Sequence, residues 1–136
     1  MNYIDTNVVI SFLNNRDVNH ERALKIFDRG DREVTSLAAV LELKSMLSRK
    51  TNLSVDEIEA FVDYLPEINI EIPEASMNKI ISNALEIAVR IRMKTLDILH
   101  ISASMMIGAD TFITFDREFI EKEREIANIG VIIKSG

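Results

Sequence analysis

Tyr3-Ile4-Asp5-Thr6-Asn7-Val8-Val9, YIDTNVV at residues 3–9, changes character at its third residue. Asn2 to Asp5 reads as a short strand that ends on an acid. Asn7 to Asn14 then reads as a helix, because Val8, Val9, Phe12 and Leu13 recur at helical spacing. A strand that passes directly into a helix is the opening of an α/β chain, and the rest of the sequence repeats the pattern. Helices are expected over Val18–Asp28, over Leu37–Lys50 behind a Ser36 cap, and from Ser54 to about Leu65, with Pro66 ending the last of these. Ser54-Val55-Asp56-Glu57 fits a capping box. Further helices are expected from Glu74 to about Met93, over Leu96–Ile107 with Thr95 as cap and Gly108 as stop, and over Arg117–Glu125. Extended segments fall at Glu33–Ser36, Asn69–Ile72, Thr111–Thr114 and Val131–Ile133. Short strands alternating with helices predict a parallel α/β sheet.

The bulk composition agrees. A chain of 136 residues suits one domain, 1–136, and its 47% hydrophobic and 28% charged residues suit a globular core. No linker, repeat or low-complexity segment interrupts it. The absence of cysteine excludes disulfides and thiolate metal sites and points to the cytoplasm. No apolar run approaches the roughly 20 residues that span a bilayer, and the start shows no secretory pattern, so no membrane partner is expected. The net charge of -6 is concentrated in the middle: residues 51–89 hold eight acids and one base. That balance argues against non-specific nucleic-acid binding, yet leaves room for a basic rim built from the two ends.

Ligand sites in open parallel sheets form outside the carboxyl ends of the strands. Asp5 stands at one such end, and Asp116 follows another by two residues. Asp97 falls in the first turn of a helix, and Glu42 lies inside a helix otherwise rich in Leu, Val and Ala. Each has a plain structural role available. Asp5 can cap the following helix, Asp97 suits a helix dipole, Asp116 suits a turn, and Glu42 can pair with Arg49 at the surface. Together they suggest more. Clustered carboxylates repel unless a cation neutralises them, and oxygen ligands suit Mg²⁺ or Mn²⁺. Such an ion serves phosphodiester or phosphate chemistry.

Four segments resemble, in order, the motifs of the PIN domain family of ribonucleases, and within it the small VapC-type toxins. They are Tyr3-Ile4-Asp5-Thr6-Asn7-Val8, the helix segment Ser36 to Glu42, Thr95-Leu96-Asp97-Ile98-Leu99-His100-Ile101-Ser102-Ala103, and Thr114-Phe115-Asp116-Arg117-Glu118-Phe119. Ile98 and Ser102 stand where alanines are usual, but no acid is lost. The resemblance implies a three-layer α/β/α domain with a short, mostly parallel central sheet. It implies an acidic catalytic pocket of Asp5, Glu42, Asp97 and Asp116. Asp5 and Asp97 would bind Mg²⁺ or Mn²⁺ directly; Glu42 and Asp116 would act through water or a second ion. Asn7 and Thr114 would orient the carboxylates. The implied reaction is metal-dependent hydrolysis of RNA, by a toxin that pairs with an antitoxin protein and forms a homodimer.

Other features weigh less. His100 shares a helix face with Asp97, but a zinc site needs more ligands and His20 is the only other histidine, so a structural role is expected. Arg90, Arg92 and Lys94 lead into Asp97 and can guide an RNA phosphate or merely close a helix; Arg16 and Arg22 are weaker candidates of the same kind. The glutamates at 118, 121, 123 and 125 read as a solvated face, and Met93, Met105 and Met106 as core. Two other functions compete: a phosphohydrolase with Asp5 as nucleophile, disfavoured because Asn7 stands where a second acid belongs, and an inactive RNA-binding module.

Overall fold

The computed structural model describes residues 1–136. Five strands form one sheet: β1 (Asn2–Ile4), β2 (Glu33–Val34), β3 (Ile70–Glu71), β4 (Thr111–Ile113) and β5 (Ile132–Lys134). Every pairing is parallel and the order is β3-β2-β1-β4-β5. The chain therefore builds outward from β1 in one direction, then crosses to β4 on the other side of β1. The topological switch lies between β1 and β4.

Alternation along the strands separates two cores. Tyr3, Val34, Phe112 and Ile133 face α5 (Met77–Ala88), α6 (Thr95–Ile107), α7 (Arg117–Glu121) and α8 (Glu123–Asn128). Ile4, Ile70 and Ile113 face α1 (Thr6–Leu13), α2 (His20–Phe27) and α3 (Leu37–Lys50). The fold is a three-layer α/β/α arrangement with a short, wholly parallel sheet. Phe112 stacks on Tyr3 at 5.0 Å and on Phe119 at 4.9 Å between ring centroids, which locks β1, β4 and α7 together.

Several element boundaries differ from the sequence reading. The second helix starts at His20 rather than Val18. α4 (Val55–Asp63) keeps its capping box but stops before Leu65, and Pro66 lies inside a 3₁₀ turn, Leu65–Ile68, rather than simply ending the helix. α5 stops at Ala88, not near Met93. Ile91 is buried there, and Arg92 takes a left-handed φ of 40°, so the chain turns back into the core. Lys94, not Thr95, occupies the cap position of α6. The expected helix over Arg117–Glu125 is two helices that meet at Lys122.

At the opposite edge from the strand ends, Glu33 is buried on β2. One carboxylate oxygen receives a long hydrogen bond from Asn2 Nδ2 at 3.5 Å, and the other has no partner. Burial pushes its pKa from 4.5 up to about 7; Asp31 adds to the rise, while Asn2, the N-terminal ammonium and Arg29 oppose it. The folded state then holds a proton that the unfolded chain has lost, so stability falls as pH climbs through that window. Glu33→Gln should remove the loss. A shift of this size is worth about 3 kcal/mol at most, and solvent at the sheet edge reduces the expected gain to about 1–2 kcal/mol. Denaturant titrations at pH 8 should show that gain and at pH 4 almost none; equal gains at both would refute the assignment.

Candidate metal centre

The four acids converge at the carboxyl ends of β1 and β4, at the switch point, where parallel sheets leave a crevice. Asp5 directly follows β1 and is buried. It does cap α1: one carboxylate oxygen accepts from Thr6 N at 2.8 Å. The other accepts from Thr114 Oγ1 at 2.7 Å. The structural role and the site role are held by the same side chain. Burial pushes the Asp5 carboxyl above its ordinary range, while His100, Thr114 and the Thr6 amide pull against that.

Thr114 is the hub of the β4 side. Besides donating to Asp5, its hydroxyl accepts from the Asp116 amide at 3.0 Å and from Asn7 Nδ2 at 3.4 Å. Asn7 Oδ1 in turn accepts from the Phe115 amide at 3.3 Å. Asn7 and Thr114 thus fix the turn that carries Asp116. Asp116 also caps α7, accepting from the Glu118 amide at 2.9 Å.

Asp97 stands in the first turn of α6, half-buried, and makes no hydrogen bond to the protein. Its pKa is pushed from 3.8 up to about 6, first by burial and then by the charges of Asp116, Asp5 and Glu118. No lysine or arginine forms an ion pair with Asp5, Glu42, Asp97 or Asp116. Of the pocket's own residues only His100 offsets this negative charge. Its donors are carboxylate oxygens, the set that suits Mg²⁺ or Mn²⁺, so the residues present fit such an ion.

At Glu42 the plain structural alternative fails. Glu42 does not pair with Arg49, whose guanidinium Nε donates to Ser45 instead. Its carboxylate accepts from His100 Nε2 at 3.2 Å. Burial alone would raise the Glu42 pKa, but the hydrogen bond and the charge of His100 oppose it, and the carboxyl lies below its usual range. Single ligand atoms of Asp5, Glu42 and His100 lie within 4.8 Å of one another. Both ring nitrogens of His100 are nevertheless engaged, Nε2 by Glu42 and Nδ1 by the Tyr3 hydroxyl at 2.8 Å. Burial lowers the His100 pKa, and the surrounding Glu42, Asp5 and Asp97 raise it by more. Tyr3 and Ser36 were absent from the sequence-based set. A tyrosine within a strand that is otherwise apolar was the available signal, because its buried hydroxyl needs a partner.

The cationic candidates are spread out. Arg90, Arg92, Lys94 and Arg16 are exposed. Lys94 pairs with Glu118 at 3.4 Å, and Lys122 donates to the Arg92 carbonyl, in a shallow depression that also holds Glu121 and Glu125. Arg22 is committed to the fold, lying over the Phe115 ring and donating to the Ser135 carbonyl.

A parallel three-layer fold with a group of acids at its switch point defines an α/β protein whose candidate site is an acidic pocket. The PIN domain family model matches residues 3–125, and the chain belongs to that family. A comparison with curated proteins gives no match. Among solved structures, the chain resembles VapC20 of Mycobacterium tuberculosis, described as a toxin that cleaves the sarcin-ricin loop, at 17% identity and a TM-score of 0.72, over 89% of this chain and 94% of that one. It resembles VapBC2 of Rickettsia felis, bound to a DNA fragment from its promoter, at 18% identity and 0.69, over 98% of both chains. It also resembles a toxin-antitoxin complex of Klebsiella pneumoniae at 16% identity and 0.68, over 97% of this chain and 96% of that one. At such identities the likeness shows the shared fold. No helix is long and apolar enough to cross a membrane.

Proposed function

We propose that this PIN domain protein is a metal-dependent endoribonuclease that uses Mg²⁺ or Mn²⁺, and that it is the toxin of a toxin-antitoxin pair acting in the cytoplasm. The carrying observation is Asp97, a half-buried carboxylate that no lysine or arginine pairs with, pushed up to about 6 by burial and then by the neighbouring acids. Asp5 and Asp97 are the direct ligands in this reading. Glu42 and Asp116 complete the set through water. A bound divalent ion supplies positive charge to the phosphoryl group and acidifies a water. The chain's own residues do the rest. Thr114 and Asn7 hold Asp5 and the Asp116 turn in place, and Glu42 remains ionised, so it can accept a proton from an attacking water. Arg90, Arg92, Lys94 and Arg16 are assigned to RNA phosphates around the rim.

The competing phosphohydrolase loses ground on geometry. Asp5 is buried and both its oxygens are hydrogen-bonded, which leaves it a poor nucleophile. The deciding assay offers a pool of structured and single-stranded RNAs with Mg²⁺, with Mn²⁺ and with chelator. Cleavage that chelator stops is expected. Folded, metal-loaded protein that cuts none of them would favour the inactive RNA-binding module.

The partners proposed are an antitoxin protein and a second copy of this chain. Met77, Ile81 and Leu85 lie one turn apart along α5, Val89 follows at its C-cap, and all are exposed, Leu85 at 70% and Val89 at 81%. Leu37 and Leu41 extend the patch onto α3, and Leu37 and Met77 line one groove. A stripe this long without charge is unusual on a monomer, and a two-fold axis buries it against itself. Light scattering should give a dimer for the wild type and a monomer for Leu85→Glu; a monomeric wild type would remove this partner.

A further inference from the structure

We propose that His100 is a positioning residue for the metal centre, acting as the last link of a buried chain Ser36–Tyr3–His100–Glu42. This rests on the metal-dependent reading above. The chain joins the elements that carry three of the four acids, Asp5, Glu42 and Asp97. Tyr3 lies on β1 two residues before Asp5. Ser36 caps α3, which carries Glu42. His100 lies on α6 one turn after Asp97. Ser36, Tyr3 and His100 are each at most 3% exposed, so no water competes for their contacts.

The anchored end is Glu42, a carboxylate that can only accept, so His100 Nε2 carries a proton. Nδ1 and the Tyr3 hydroxyl share the next hydrogen bond at 2.8 Å, and the Tyr3 and Ser36 hydroxyls the one after it at 2.6 Å. Ser36 Oγ also accepts from the Ala39 amide at 3.3 Å, as a helix cap. The chain is satisfied with a neutral imidazole, when the protons run from Ser36 through Tyr3 to Nδ1, and with an imidazolium, when they run the other way. In both states Nε2 donates to Glu42 and the ring keeps one orientation.

The consequence falls on Glu42. Its side chain rotates about three bonds and stands at a half-open rim, where solvent would otherwise draw it outward. His100 holds one of its oxygens towards Asp5, within the 4.8 Å cluster. A direct ligand role for His100 would require breaking one end of the chain, releasing Glu42 to solvent or depriving the buried Tyr3 hydroxyl of its imidazole partner. Partners behind a metal ligand typically govern metal affinity and activity by about 10–100-fold.

The test measures Mn²⁺ binding from the free-ion EPR signal, alongside thermal melting and RNA cleavage. His100→Leu should weaken Mn²⁺ binding by about 10–100-fold. His100→Gln keeps an N–H that can reach Glu42 and should recover most of that affinity. Tyr3→Phe keeps the ring and its stacking but cuts the chain, and should weaken binding by about 10-fold, the lower end of the range for such partners. Cleavage should lose kcat while KM for RNA stays constant, because none of these groups touches the substrate. Tyr3→Phe decides the matter if His100→Leu fails to fold. Folded variants that bind Mn²⁺ within twofold of the wild type would overturn the positioning role alone. A wild type that binds no Mn²⁺ would overturn the metal reading and this proposal with it.

Discussion

Asp97→Asn should cut RNA cleavage at least a hundredfold and, without metal, make the protein more stable. The two effects have one cause. Asp97 is held at about 6, well above its ordinary 3.8, by burial and by the charges of Asp116, Asp5 and Glu118. Its raised pKa means that the folded protein keeps a proton between pH 4 and 6 that the unfolded chain gives up. Stability therefore declines as pH rises through that interval and stays reduced above it. An amide of the same shape carries no charge to repel. The metal-free variant should melt above the wild type at pH 7.5 by an amount equivalent to about 1 kcal/mol, since the side chain is partly solvated, and the two should converge near pH 4. Mg²⁺ should reverse the order at neutral pH, because an ion bound only to the folded wild type stabilises it by mass action. Cleavage should fall by about 10²–10³-fold, the cost of losing one group that supports transition-state charge. Calorimetry at both pH values, with and without Mg²⁺, and a cleavage time course check each part. A variant that cuts within tenfold of the wild type would remove Asp97 from the machinery.

The sequence made the strand–helix alternation, the parallel sheet and the four acids readable because each is local. Tyr3-Ile4 and Phe112-Ile113 alternate between two cores, and Asp5, Asp97 and Asp116 sit where strands end or helices begin. What was hidden depends on contacts across the fold. Nothing between Val89 and Met93 breaks a helix locally; burial of Ile91 makes the chain turn there. Glu42 sits on one helical face with Arg49, which made Arg49 the only partner that local spacing offers. Its actual partner is 58 residues away on α6. Helical spacing reports which residues share a face, not which neighbour that face meets. The Tyr3 hydroxyl was overlooked for the same reason, since its partners Ser36 and His100 come from two other elements.

The importance of such remote contacts is tested most severely at Thr114. Thr114→Val changes almost no volume but removes the hydroxyl that donates to Asp5 and accepts from the Asp116 amide and Asn7. Thr114 is fully buried, so water cannot replace it. One Asp5 oxygen is then left without its donor, and the Asp116 amide without its acceptor. Unpaired buried groups of this kind cost about 1–3 kcal/mol each, and a destabilisation of about 2–4 kcal/mol is expected at neutral pH. The Thr114 hydrogen bond also opposes the upward push of burial on the Asp5 pKa, so its loss moves that carboxyl further up. Metal binding requires the ionised carboxylate and should therefore shift to higher pH. At neutral pH the affinity for Mn²⁺ should drop by about 10–100-fold. Thr114→Ser keeps the hydroxyl and should stay near the wild type in all three respects, which separates the hydrogen bonds from the packing. If valine and serine behave alike, the packing of β4 positions Asp5 and the hydroxyl does not.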